Sequence, residues 1–153
     1  MAATYLIEDE PRPGALGSWV VSPIWPLFSI MFAGNWLAMP WFAFNAYAVG
    51  SPTRGREAVI AAAGLFGKAA LAIGLVALVA GEVVPKPALK YLAVALAVWK
   101  LGFAYWLYSL QSRTFHLFEY YGGTVRKGFV PVIAGAVLSP LLFKSVFLAL
   151  LLE

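Results

Sequence analysis

The chain has no cysteine and a single histidine, and charged residues make up only 12% of its 153 positions. Without cysteine there is no disulfide, no thiolate nucleophile and no thiolate metal site. With His116 alone, one chain cannot offer paired imidazoles to a haem, and nothing marks Met31 or Met39 as a second ligand. Acidic residues occur only in the tail, in loops and at helix ends, so no Ser/His/Asp arrangement can be assembled. The scarcity of charge, against roughly 25% in soluble domains, excludes an ordinary soluble fold.

Apolar residues fill the gap. They make up 62% of the sequence, with a mean hydropathy of +0.82. Each membrane-crossing helix needs roughly 20 residues to pass a hydrocarbon core about 30 Å thick. The expectation is therefore an all-α, polytopic membrane protein: a bundle of four transmembrane helices with short loops and no soluble domain. A tail over 1–18 precedes spans at about 27–49, 58–80, 88–110 and 129–152, which together make one domain over 19–153. The tail carries Glu8, Asp9 and Glu10 with only Arg12, lacks the basic start of a signal peptide, and is expected to stay on the mature protein. The formal charge of +4 is scattered rather than gathered into a patch, which argues against a nucleic-acid partner.

Within the first span, Pro40 removes a backbone hydrogen bond and predicts a kink that frees the carbonyl of Trp36. Trp19, Trp25, Trp41 and Tyr47 are expected to anchor this segment at the two membrane surfaces. Pro131 falls in the first turn of the fourth span, and Pro140 is expected to bend its middle. Loops one and three hold Arg54, Arg56, Arg113, Arg126 and Lys127, five cations against the three of the tail and the hairpin, Arg12, Lys86 and Lys90. By the positive-inside bias this places both termini outside, in a bacterial inner membrane.

The residues most suggestive of function are Lys68 and Lys100, each near the centre of an apolar run. An ammonium group in hydrocarbon costs at least a few kcal/mol, so such a lysine is a functional candidate. Lys68 lies sixteen residues before Val84 and Lys100 fifteen after Pro85, which sets them at one depth. Asn35 and Ser139 fall near the same level, predicting a polar layer at mid-membrane, with Lys144 a few residues beyond it. No carboxylate is expected in that layer. The counter-charge then comes from a bound anion, another subunit's acid or internal water, or one lysine is neutral; the plain alternative is that both stems reach a surface.

Span two carries small residues at Ala63, Gly67, Ala70, Gly74, Ala77 and Gly81, a stripe suited to close approach by a neighbouring helix. Lys68 lies roughly 140° from that stripe, so one bundle is not expected to enclose both. Span three has a stripe of its own through Ala93, Ala97, Lys100, Ala104 and Gln111, which points Lys100 inward and sets Trp99, Phe103 and Trp106 toward lipid or a partner's surface. The third connection, 111–128, gathers Arg113, His116, Glu119, Arg126 and Lys127 as an interfacial cluster suited to lipid headgroups. His-x-x-Glu supplies two ligands at most, so no metal and no cofactor is expected.

Together these features suggest a non-enzymatic integral membrane subunit that assembles with partner membrane proteins or with itself through small-residue faces and intramembrane lysines. A small oligomeric transporter or channel for an anion or proton, using the Lys/Asn layer, is the alternative. A lipid-modifying enzyme centred on His116 and Glu119 is the third reading. Membrane lipids are expected neighbours in every case.

Overall fold

The computed structural model describes residues 10–83, 85 and 88–151, with Ala80, Leu89 and 142–151 as backbone alone. The start of the tail, most of the turn at 84–87 and the end of the fourth span lie outside the described residues. A 3-10 turn at Ala15–Trp19 leads into five helices: α1 (Ile24–Phe32), α2 (Asn35–Val49), α3 (Arg54–Ala80), α4 (Leu89–Tyr120) and α5 (Phe129–Leu151). Two of them, α3 and α4, are long and apolar enough to cross a membrane.

The expected first span does not form as one helix. It is two short helices, and the chain reverses between them. A straight helix would hold Val21 and Asn45 about 36 Å apart, yet the Val21 N–H donates to Asn45 Oδ1 at 3.0 Å. The reversal occurs at Gly34, where φ is 94° and ψ is −175°. Only glycine enters that region without strain, because any Cβ would clash with the flanking peptide. Pro40, where sequence reasoning places the disruption, sits inside α2. A proline removes one hydrogen bond and bends a helix, whereas reversal needs the positive φ that a proline ring forbids. Pro26 stands in the first turn of α1, where its missing N–H would have had no helical partner anyway.

Gly50 caps α2 in the left-handed region, and its carbonyl accepts from the Arg12 N–H at 2.9 Å. Both ends of the α1–α2 hairpin therefore lie at one end of the molecule, beside the close of α4. There Val20, Ala48, Val49, Phe115 and Phe118 form a small core. With Trp19, Trp25 and Tyr47 all at that end, they cannot mark two opposite surfaces. The larger core joins Ile30, Ala38, Met39, Phe42, Ile60, Ala61, Ala104 and Leu107, so the hairpin packs in the angle between α3 and α4. Helix α4 continues through Tyr120, so the first part of the third connection that the sequence places at 111–128 is helical. Its buried face repeats at Ala104, Leu107, Gln111, Thr114 and Phe118.

Candidate site at the helix break

Breaking a helix strands its last carbonyls, and in an apolar interior each one needs a donor. At the end of α1 the Ser29 carbonyl takes two N–H groups, from Ala33 at 2.8 Å and Gly34 at 2.9 Å. The Ile30 carbonyl, which a continuing helix would have paired with Gly34, is left over. Lys100 Nζ reaches it at 3.4 Å. The Ala33 carbonyl accepts from Ser139 Oγ at 2.9 Å. Helix α5 comes close enough for this because residue 135 is glycine: a Cβ there would lie 2.7 Å from that of Ala33.

On the other side of the break Asn35 opens α2. Its Nδ2 donates to the Gly64 carbonyl of α3 at 3.0 Å, and its Oδ1 is buried without a partner among the described residues. Gly64 and Gly67 are the flat part of α3, over which Phe103 and Trp99 of α4 lie. Those two rings stack at 4.8 Å. They are half-buried knobs of the α3–α4 contact rather than lipid-facing groups, while Trp106 is exposed.

Lys100 thus has a compensating charge in its own chain, from a source not anticipated in the sequence. The end of a helix carries about half a negative elementary charge, spread over its unpaired carbonyls. At 3.4 Å the hydrogen bond is long, so the stabilisation is mainly that of a cation at a helix end, worth up to about 2 kcal/mol where partly buried. Lys68 is different. It is half-buried on the inner face of α3 with Gly64, Ala72 and Leu75. No hydrogen bond to its amine is present among the described residues. Both lysines lie about 17 Å along their helices from the far ends at Ala80 and Leu89. Lys144 falls on the part of α5 described as backbone alone.

The bundle therefore turns the Lys68 face of α3 inward and the small-residue stripe outward. Ala63, Ala70, Gly74, Ala77 and Gly81 are exposed, and Gly67 alone is half-covered, by Trp99. The reason is the bulk on α4: indole and phenyl rings need the shallow strip at Gly64 and Gly67, and Asn35 needs the Gly64 carbonyl. Arg113, His116 and Glu119 stand exposed along one side of α4, with Arg126 and Lys127 exposed in the loop that follows. Among the described residues no group of three or more His, Cys, Asp or Glu side chains could hold a metal ion.

Two polar clusters at the hairpin's open end went unnoticed in the sequence. Gln111 Nε2 donates to the Phe42 carbonyl at 2.7 Å, and its Oε1 accepts from Asn45 Nδ2 at 3.3 Å. With the Val21 bond to Asn45, this chain of contacts ties the entry segment, α2 and α4 together. Gln111 lies on the stripe that the sequence already points inward, whereas its partners are not legible there; Asn45, a lone amide in an apolar run, carries the same signal as Asn35. Glu57 is fully buried at the start of α3, where its Oε1 accepts from Thr53 Oγ1 at 2.8 Å and from Ser51 Oγ. A carboxylate suits the positive end of a helix. Its Oε2 has no partner among the described residues.

No known protein family, curated protein or solved structure matches this chain.

Proposed function

We propose that the protein is a non-enzymatic integral membrane component that works as an assembly, joined to a second copy or to a companion membrane protein through the outer face of α3. The observation that carries this reading is the outward stripe from Ala63 to Gly81. A Cβ built on Gly74 meets nothing within 4 Å, so the backbone is bare there. Close backbone approach is what drives helix association in lipid, where the hydrophobic effect offers little. The inner face of α3 is already occupied by the chain's own α2 and α4, which leaves the stripe for another molecule.

In this reading α3, α4 and α5 cross the bilayer and the α1–α2 hairpin enters from one side and returns to it. Irregular backbone at mid-depth is tolerated in membranes when protein buries it, as Lys100, Ser139 and Asn35 do here. The hairpin also revises the expected sidedness. It brings the tail to the same side as loops one and three, so Arg12 joins Arg54, Arg56, Arg113, Arg126 and Lys127, six cations against Lys86 and Lys90. The amino-terminal segment is then cytoplasmic, and the end of α5 lies on the opposite side.

The test is the mass of the complex extracted in mild detergent. The reading expects more than one chain per particle, and Gly74→Phe, which fills the bare strip, should reduce the complex to single chains without unfolding them. A wild-type protein that is monomeric and alone would contradict it. One observation favours a second reading, transport of an anion or proton: Lys100 meets the end of a broken helix, with the half-buried Lys68 on the neighbouring face of α3, a placement typical of transport sites. Under that reading Lys68→Met abolishes flux into liposomes, whereas for an assembly component it leaves no flux to lose.

A further inference from the structure

We infer that the cleft between α1 and α5 is a binding site for one acyl chain of an anionic phospholipid, whose phosphate is held by the basic loop above it. This rests on the chain being embedded in a membrane, as proposed above. The cleft is a cavity of about 410 Å³ lined by Trp25, Phe28, Phe32, Phe129, Val132, Ile133 and Ala136, with no polar lining surface. That volume is in the range of ligand sites, roughly 300–1,000 Å³. A water-soluble ligand of that size would find no hydrogen-bonding group along its length. Phe28, Phe32, Phe129 and Ile133 are among the exposed large apolar side chains, so the cleft opens sideways, toward lipid.

Its mouth has the opposite chemistry. Gly128 lies directly against the Trp25 ring, which brings the loop 121–128 over the upper end of the cleft, where Trp25 meets Phe129 edge-on at 6.4 Å. Arg126 is fixed there. Its N–H donates to the Val20 carbonyl at 2.8 Å, its Nε donates to the Ser18 carbonyl at 2.7 Å, and its guanidinium lies 4.1 Å over the Trp19 ring. Lys127 is exposed beside it. The first turn of α5 starts two residues later and adds the positive end of a helix. Two cations and a helix start above an apolar slot match an anionic headgroup above a hydrocarbon tail. They do not match a companion helix, whose own backbone offers no anion at that level. The run from Phe129 to Ala136 follows the slot for about 10 Å toward mid-membrane, ending where Phe32 closes α1.

The experiment is native mass spectrometry of the full chain exchanged into detergent containing equal amounts of phosphatidylglycerol and phosphatidylcholine. Each basic side chain near a membrane surface favours an anionic headgroup by about fivefold. The expected result is one retained lipid per chain, phosphatidylglycerol by roughly tenfold or more. Lys127→Gln should cut that preference several-fold and leave the number of retained lipids unchanged, whereas Ala136→Phe, which fills the slot, should remove the retained lipid while α-helical content holds. Equal retention of both lipids, with no response to Lys127→Gln, overturns the inference. So does an Ala136→Phe variant that changes the number of chains per particle instead of the lipid count, since the cleft would then be a protein contact. A chain that stays soluble without detergent and retains neither lipid would overturn the membrane reading itself.

Discussion

The two helical hairpins of this protein solve the same problem in opposite ways. The α3–α4 hairpin is long and continuous, holds its backbone hydrogen bonds within each helix, and packs with rings over glycines. The α1–α2 hairpin is short, reverses partway along the bundle, and is tied to its surroundings by polar side chains at every level: Lys100 and Ser139 on α1, Asn35 at the start of α2, Asn45 and Gln111 near its close. The lesson is that two of these residues, Lys100 and Ser139, are placed by the interrupted backbone, at the carbonyls that end α1. Four of these five serve a carbonyl directly, and Asn45 takes up a free N–H. A lysine in hydrocarbon, read alone, suggests a missing acidic partner; beside a helix end it has one in the form of carbonyl oxygens.

The comparison breaks most severely at the reversal itself. Gly34→Val places a β-branched residue in a backbone region open only to glycine, and nothing near the new Cβ would relieve it, the closest atom being Trp36 Cδ1 at 3.8 Å. A loss of about 3 kcal/mol is expected, seen as a lowered midpoint of thermal unfolding in detergent. Gln111→Leu comes next. It leaves the Asn45 amide without an acceptor and removes the second donor to the Phe42 carbonyl, for an expected loss of about 1–2 kcal/mol in the same measurement.

The two lysines sharpen the contrast. Lys100→Met leaves the Ile30 carbonyl unpaired and removes the charge from the helix end, and should cost about 1–2 kcal/mol. Lys68→Met removes a half-buried ammonium that makes no hydrogen bond among the described residues. Its unfolding midpoint should stay level or rise. If the two substitutions destabilise equally, the distinction between a helix-end cation and an uncompensated one is wrong.

Helix identity was mostly open to sequence reasoning. The continuous apolar runs that become α3, α4 and α5 exceed what any other element accommodates, and the period of Ala97, Lys100, Ala104 and Gln111 already contained the inner face of α4. The reversal was not legible, because Gly34 and Pro40 stand six residues apart in one apolar run and proline is the stronger signal by composition. What decides is φ, which only the folded backbone displays. The orientation of α3 was hidden for a related reason: small residues occur on both its faces, and the choice between them was made by Trp99, Phe103 and Asn35 on other helices. The burial of Glu57 is not legible in the sequence because it depends on Ser51 and Thr53 folding back over the first turn of α3.

The most direct test of the hairpin uses the absence of native cysteine. Single cysteines at Gly14 and Gly55, where an added side chain meets nothing within 4 Å, can be labelled with a membrane-impermeant maleimide in sealed, oriented vesicles. The account predicts that both are modified from the same face of the membrane, because the chain between them enters and returns. Labelling of the two from opposite faces would mean that the segment crosses, and that Lys100 does not rest on the end of a broken helix.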